Sequence, residues 1–185
     1  MFAYSARLFL RPLWSDDLGV LLDLLDTASS RSGLLDSPDN DVTRYLRDNA
    51  ARLIHENDVT RPHSGIFLRD GKEPRLIGIT ALAGKEAHFF CWIAPAFRGQ
   101  GFATEASGLM LHFADEALRL PSLTAAYDHA DAAAEKLLTK LGFSEKQKTP
   151  PTAAWGAANT SVSFLPENFI KEERVRVFSS CQPSP

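Results

Sequence analysis

Apolar and polar positions follow two different periods along this chain, and the switches between them mark its elements. Residues 6–12 alternate and stop at Pro12, as an edge strand does. Leu18, Leu21, Leu22 and Leu25 then recur at helical spacing. Ser15 is placed to cap that helix, with Asp16 and Asp17 in its first turn. Residues 27–40 are rich in Ser, Asp and Gly and predict a loop. A second helix is expected from Asp41 or Thr43 to about Asn57, with Val42, Leu46, Ala50, Leu53 and Ile54 inward. Gly65–Arg69 and Leu76–Leu82 predict strands joined by a hairpin loop over residues 70–74. His88–Ile93 is almost continuously apolar, as a central strand covered on both faces should be.

The second half of the chain predicts a helix from Ala103 to about Leu118. Its apolar face is Ala106, Leu109, Met110, Phe113 and Ala117. Leu123–Tyr127 is a short strand. A helix begins at Asp131, runs through Lys140 and ends at Gly142. Residues 144–148 and 160–165 close the sheet, on either side of a loop holding Pro150, Pro151 and Trp155. No repeat and no linker interrupts the chain. The expected organisation is a single domain over residues 1–166 and a polar, partly mobile tail over 167–185. Strands before and after helices give an α+β (mixed α/β) fold.

Composition narrows the function classes. A chain of 185 residues can bury one real core. Its net charge of −3 and the lack of a basic run argue against a nucleic-acid partner. No apolar stretch reaches the about 18 residues a membrane span needs. The N-terminus does not read as a signal peptide, so a cytoplasmic location is expected. Cys91 and Cys181 give neither a disulfide framework nor a metal-ligand spacing. His55, His63 and His112 do not cluster by spacing, and no metal is implied.

The segment from Cys91 to Ala106 carries the chemistry. It reads as a buried strand, a short basic and glycine-containing loop, and the first turn of a helix. Arg98, Gly101 and Ala103 fit the pattern Arg-x-x-Gly-x-Ala. Glycines at 99 and 101 allow a sharp turn and a close backbone approach. The first turn of a helix presents unpaired N–H groups and partial positive charge, which suits a phosphate or pyrophosphate. The three-glycine dinucleotide fingerprint fails, because Thr104 stands where its third glycine would fall.

This segment resembles the acyl-CoA pyrophosphate loop of the GNAT N-acetyltransferase superfamily. The phrase Trp92-Ile93-Ala94-Pro95 and the run from Arg98 to Ala106 look most like the branch of ribosomal-protein N-terminal acetyltransferases. Three further stretches resemble the family in order and distance. They are Arg7-Leu8-Phe9-Leu10-Arg11-Pro12, Leu76-Ile77-Gly78-Ile79-Thr80 and Lys140-Leu141-Gly142-Phe143. The resemblance covers roughly residues 6 to 165. It implies a six- to seven-stranded mixed sheet, flanked by about four helices and splayed between its fourth and fifth strands around acyl-CoA. The implied activity moves an acetyl group from acetyl-CoA, as cosubstrate, to a primary amine of a protein N-terminus or a small molecule. A monomer or homodimer is expected.

The resemblance also distributes roles. Arg98, Gly99, Gln100, Gly101, Phe102, Ala103 and Thr104 would hold the pyrophosphate. The backbone of Trp92, Ile93 and Ala94 would pair with the pantetheine arm, until Pro95 ends the pairing for want of an N–H. His88 stands where relatives often carry a glutamate base, and a neutral imidazole can take a proton near pH 7. A histidine satisfied by a backbone carbonyl on a strand explains it as well. Glu86, two residues earlier, is the alternative base, or a solvated strand end. Asp131 takes the place of an asparagine that frames the cofactor, and it can equally cap the following helix.

Ala134 replaces a frequent serine, and no tyrosine follows in the next turns, so the usual thiolate acid is missing. Tyr127 and His129 are nearby substitutes. This departure leaves a second reading open, a catalytically impaired acyl-CoA-binding sensor or partner-binding module. The resemblance implies that the acceptor lies between the first two helices, their connecting loop and the loop between the last strands, here residues 26–42 and 149–160. Arg31, Asp36, Asp39 and Asp41 are charged there, and Tyr45, just beyond, and Trp155 are aromatic.

Overall fold

The computed structural model describes residues 1–31, 38–55, 58–83, 87–127, 131–145, 160–164 and 176–177. Among the described residues nine strands form one mixed sheet: β1 (Ala3–Tyr4), β2 (Leu8–Arg11), β3 (His63–Leu68), β4 (Arg75–Ala83), β5 (His88–Ile93), β6 (Leu123–Tyr127), β7 (Ser144–Glu145), β8 (Thr160–Phe164) and β9 (Arg176–Val177). Their order is β7-β8-β6-β5-β4-β3-β2-β1-β9. Six strands have four residues or more, while β1, β7 and β9 have two. The helices are α1 (Asp17–Arg31), α2 (Pro38–Asp48), α3 (Ala50–His55), α4 (Phe102–Glu116) and α5 (Ala132–Lys140).

Every pairing is antiparallel except that of β5 with β6. These two are the fourth and fifth of the longer strands. They pair only at His88 with Thr124 and at Phe89 with Ala125, then part toward their C-terminal ends. Outside the C-terminal ends of diverging parallel strands is where open α/β sheets bind ligands.

Helices cover both faces. Leu21, Leu25, Leu46 and Leu53 of α1–α3 bury against Phe67, Leu76, Ile79 and Trp92 of the sheet. On the other face, Phe102, Ala106 and Leu109 of α4 meet Leu8, Leu10, Ile66 and Ile93. Met110, Leu111 and Ala114 of α4, with Leu138 of α5, meet Phe89, Leu123 and Ala125. At the centre, β4 and β5 approach closely. A Cβ at Gly78 would lie 2.2 Å from the Trp92 carbonyl oxygen, so a side chain there would force the strands apart.

Three element boundaries differ from the pattern. The loop expected from residue 27 gives way to helix through Arg31, because Ala28 is buried and the Thr27 hydroxyl donates to the Asp23 carbonyl at 2.8 Å. The next helix starts at Pro38, a residue suited to a first helical turn, and breaks at Asn49. There the Asn49 amide donates to the Tyr45 carbonyl at 2.8 Å and competes with the helical ladder. In α4, Ala106, Leu109 and Met110 are buried as expected, but Ala117 is exposed, and Leu111 and Ala114 take its place in the core. The helix meets two clusters at once, so its apolar surface is wider than one stripe.

Candidate active site

The site is built where β5 and β6 separate. Beyond β5, Pro95–Phe97 make one 3-10 turn, and residues 98–101 lead into α4. Gly99 and Gly101 both take left-handed backbone, at φ +76° and +81°, which favours glycine at each. A Cβ at Gly99 would meet nothing within 4 Å, so the loop is open on that side. Gly101 is the N-cap of α4, and no side chain caps that helix end. The first-turn N–H groups therefore face outward with the helix dipole behind them. Phe102 anchors the turn in the core, Ala103 and Thr104 are half-buried, and Gly99, Gln100 and Gly101 are exposed.

Arg98 reaches back along the loop. Its Nε donates to the Ile93 carbonyl at 2.9 Å, which ties the guanidinium to the end of β5. Ala94 donates its N–H to the Ile77 carbonyl at 2.9 Å, on the β4 side. Backbone groups on a strand alternate in direction. The N–H and C=O of Ile93, and those of Cys91, therefore turn toward the gap, and those of Trp92 and Ala94 toward β4.

The side chains of β5 divide by face. Phe89, Cys91 and Ile93 point toward α4 and α5. There burial pushes the Cys91 thiol up to about 12, against a smaller opposing pull from the Ser107 hydroxyl. Such a thiol is no nucleophile near neutral pH. Phe90 and Trp92 point toward α1–α3, and by alternation His88 shares their face. The half-buried His88 has its Nδ1 against the Thr124 hydroxyl, across the parallel pair. On the same face the buried Trp92 indole N–H meets no acceptor among the described residues.

Asp131, after β6, is the N-cap of α5. Its Oδ1 accepts the N–H groups of Ala133 and Ala134 at 3.0 and 2.9 Å. Tyr127 packs against the cluster between α4 and α5, away from the His88 face. Tyr45 is half-buried against the α1–α3 cluster. Arg31 falls in α1, and Asp39 and Asp41 in α2. Glu86, Asp36, His129 and Trp155 lie outside the described residues.

Sequence patterning missed Arg7. Its guanidinium lies under the phosphate-type loop, with Nη1 donating to the Gln100 carbonyl at 3.0 Å and Nε to Glu105 at 2.8 Å. Its partners are more than 90 residues away in sequence, and only its place in the opening strand hinted at a role.

An open helix N-terminus behind two left-handed glycines, set at a splayed parallel pair, is an arrangement suited to an anionic ligand such as a pyrophosphate. The family model for the acetyltransferase (GNAT) domain matches residues 7–144. The chain belongs to the GNAT acetyltransferase family.

Solved structures agree on this GNAT fold. A Vibrio cholerae structure assigned as a ribosomal-protein-serine acetyltransferase aligns at TM-score 0.66 and 19% identity, over 89% of this chain and 97% of that one. An acetyltransferase from Agrobacterium tumefaciens aligns at TM-score 0.63 and 19% identity, over 89% of this chain and 94% of that one. A chimera of the Vibrio cholerae spermidine N-acetyltransferase aligns at TM-score 0.64 and 18% identity, over 90% of this chain and 99% of that one. No curated protein matches the chain. GNAT enzymes use acetyl-CoA as cosubstrate, and the residues present fit it. The loop offers outward N–H groups and space at Gly99 for a pyrophosphate, and the edge of β5 offers a pairing surface for an extended amide chain. No described helix is long and apolar enough to cross a membrane.

Proposed function

We propose that this protein transfers an acetyl group from acetyl-CoA to a primary amine, on a protein N-terminus or a small molecule. The observation that carries the reading is the uncapped N-terminus of α4, opened by Gly99 and Gly101 at the mouth of the β5–β6 gap. The catalytic domain spans residues 1–166, the tail 167–185 adds the two-residue β9 to the edge of its sheet, and the protein works in the cytoplasm. Two of the similar structures carry names that specify amine or protein acceptors, a ribosomal protein and spermidine. They support an amine acceptor and do not choose between those classes.

Backbone amides from Gly99 to Thr104 and the Arg98 guanidinium hold the pyrophosphate. The Ile93 and Cys91 backbone, turned into the gap, pairs with the pantetheine arm. Acetyl-CoA supplies the activated acetyl thioester. His88 then takes the proton that an ammonium must lose before its nitrogen can attack. The Thr124 hydroxyl, which can donate to or accept from Nδ1, holds the ring orientation, and either neutral tautomer keeps one basic nitrogen. Glu86 is the alternative base. Much of the rate comes from holding amine and thioester together.

One observation favours a second reading, an acyl-CoA-binding sensor without turnover. Ala134 offers no hydroxyl to a leaving thiolate, and Tyr127 packs away from the His88 face. Calorimetric titration with acetyl-CoA tests the cofactor assignment, and an absence of binding at millimolar cofactor refutes it. Binding without turnover across a broad amine panel selects the sensor.

A further inference from the structure

The ion pair between Arg7, just before β2, and Glu105, in the first turn of α4, reaches beyond packing. Arg7 Nε donates to Glu105 Oε2 at 2.8 Å, and Nη2 lies 2.6 Å from the same oxygen. The Arg7 backbone N–H donates to Glu105 Oε1 at 3.2 Å, and the Ser5 hydroxyl donates to that oxygen too. The guanidinium sits 4.6 Å from the centroid of the Phe102 ring. Its remaining arm, Nη1, donates to the Gln100 carbonyl at 3.0 Å.

That last bond decides the direction of an amide. In a trans peptide the C=O and the following N–H point in opposite senses across one rigid plane. Holding the Gln100 carbonyl toward Arg7 therefore aims the Gly101 N–H away from Arg7, to the outer side of the loop. This peptide plane turns on ψ of Gln100 and φ of Gly101, and glycine leaves the second of these free to rotate. A flipped unit would present a carbonyl oxygen to an anion. The same guanidinium also neutralises Glu105, the one acidic residue in the first turn of α4, where a bare carboxylate would repel pyrophosphate.

We propose that Arg7 is a positioning residue for the cofactor's pyrophosphate, fixing the Gln100–Gly101 peptide so that the Gly101 N–H faces the anion. This rests on the acetyl-CoA reading above. Arg7 touches neither the acetyl group nor the amine. Lysine cannot replace it, since one ammonium cannot hold the fork to Glu105 and the carbonyl together.

The test measures CoA affinity by calorimetry and follows the Gly101 amide by NMR while inorganic pyrophosphate is added. In the parent, CoA binds and the Gly101 amide proton moves downfield with pyrophosphate. Arg7→Met should weaken CoA about tenfold, on the scale of a lost charge-assisted hydrogen bond, and abolish the Gly101 shift. Arg7→Lys should lose about threefold. Glu105→Gln, which keeps an acceptor for Arg7, should stay within about threefold of the parent. A merely structural Arg7 would lower the melting temperature while leaving CoA affinity and the Gly101 shift intact, and that result overturns the proposal. A parent that binds no CoA would instead refute the acetyl-CoA reading itself.

Discussion

Strands β5 and β6 run parallel, and each delivers the chain to a helix N-terminus, yet the two helices begin in opposite ways. α4 starts at Gly101, with left-handed backbone and no side-chain cap. α5 starts at Asp131, whose carboxylate takes two of its first N–H groups. The geometric problem, unsatisfied donors behind a positive dipole, is the same at both ends. A carboxylate solves it internally and leaves an end that repels anions. A glycine leaves the donors for a ligand. At α1 the first-turn acid Asp17 reaches back instead, accepting the Trp14 N–H ahead of the helix at 2.7 Å and a bidentate pair from Arg11. In the first turn of α4 the acid, Glu105, is paired with Arg7 and no side chain caps the helix N–H groups.

The comparison breaks most completely at Gly101. Gly101→Glu forces a β-carbon into φ +81°, 3.5 Å from Arg7 Nη2, and adds a negative charge beside the loop. Binding of acetyl-CoA should fall by at least about 10³-fold, the loss expected when strain and charge repulsion act together. Parent-like affinity in a folded variant would remove the loop from the cofactor site.

The next largest effect separates chemistry from binding. His88→Ala should cut turnover by roughly 10²-fold, the usual scale of a lost general base, with acetyl-CoA affinity unchanged. His88→Glu should restore part of the activity. Near-parental turnover in the alanine variant would pass the role to Glu86 or to solvent.

At α1 the expectation concerns stability and pH. Burial raises the Asp17 carboxyl, but the hydrogen bonds from Arg11 and the Trp14 N–H, with the Arg11 charge, bring it below its ordinary value. A depressed folded-state pKa contributes stability above the unfolded value, near about 4, and loses it as pH falls through the folded one. Asp17→Asn should cost about 2 kcal/mol at pH 7, the range for breaking a charged, hydrogen-bonded pair. The gap between parent and variant should close in denaturant titrations taken progressively below about pH 4. A gap independent of pH would show that the charge is not the source.

The smallest effect is the converse of the first. Asp131→Ala removes a cap and should cost about 1 kcal/mol, or roughly 2–4 °C in Tm, with acetyl-CoA affinity within about threefold. A larger affinity loss at unchanged Tm would make Asp131 a cofactor ligand in its own right.

Much of this was legible in the chain because it is local. The apolar run 88–93, the glycines at 99 and 101 and the Asp131 cap each act within a few residues, and β5, the loop and α5 appear where they were expected. What escaped is set by distant partners. Arg7 reads as an ordinary strand-end charge until the fold brings Gln100 and Glu105 to it. α4 reads as one stripe because periodicity does not reveal that it lies against two clusters. Trp92 and Ala94 read as backbone cofactor contacts like Ile93 until the register turns their backbone groups toward β4, with the Ala94 N–H on Ile77. β1 and β9, two residues each, are too short to carry any period.

A crystal structure with CoA bound tests the central contrast most directly. The account predicts pyrophosphate oxygens within hydrogen-bond distance, about 2.7–3.2 Å, of backbone N–H groups between Gly99 and Thr104, with the Asp131 carboxylate still on Ala133 and Ala134. A pyrophosphate seated on the N-terminus of α5, or a CoA that leaves the α4 amides untouched, would contradict it.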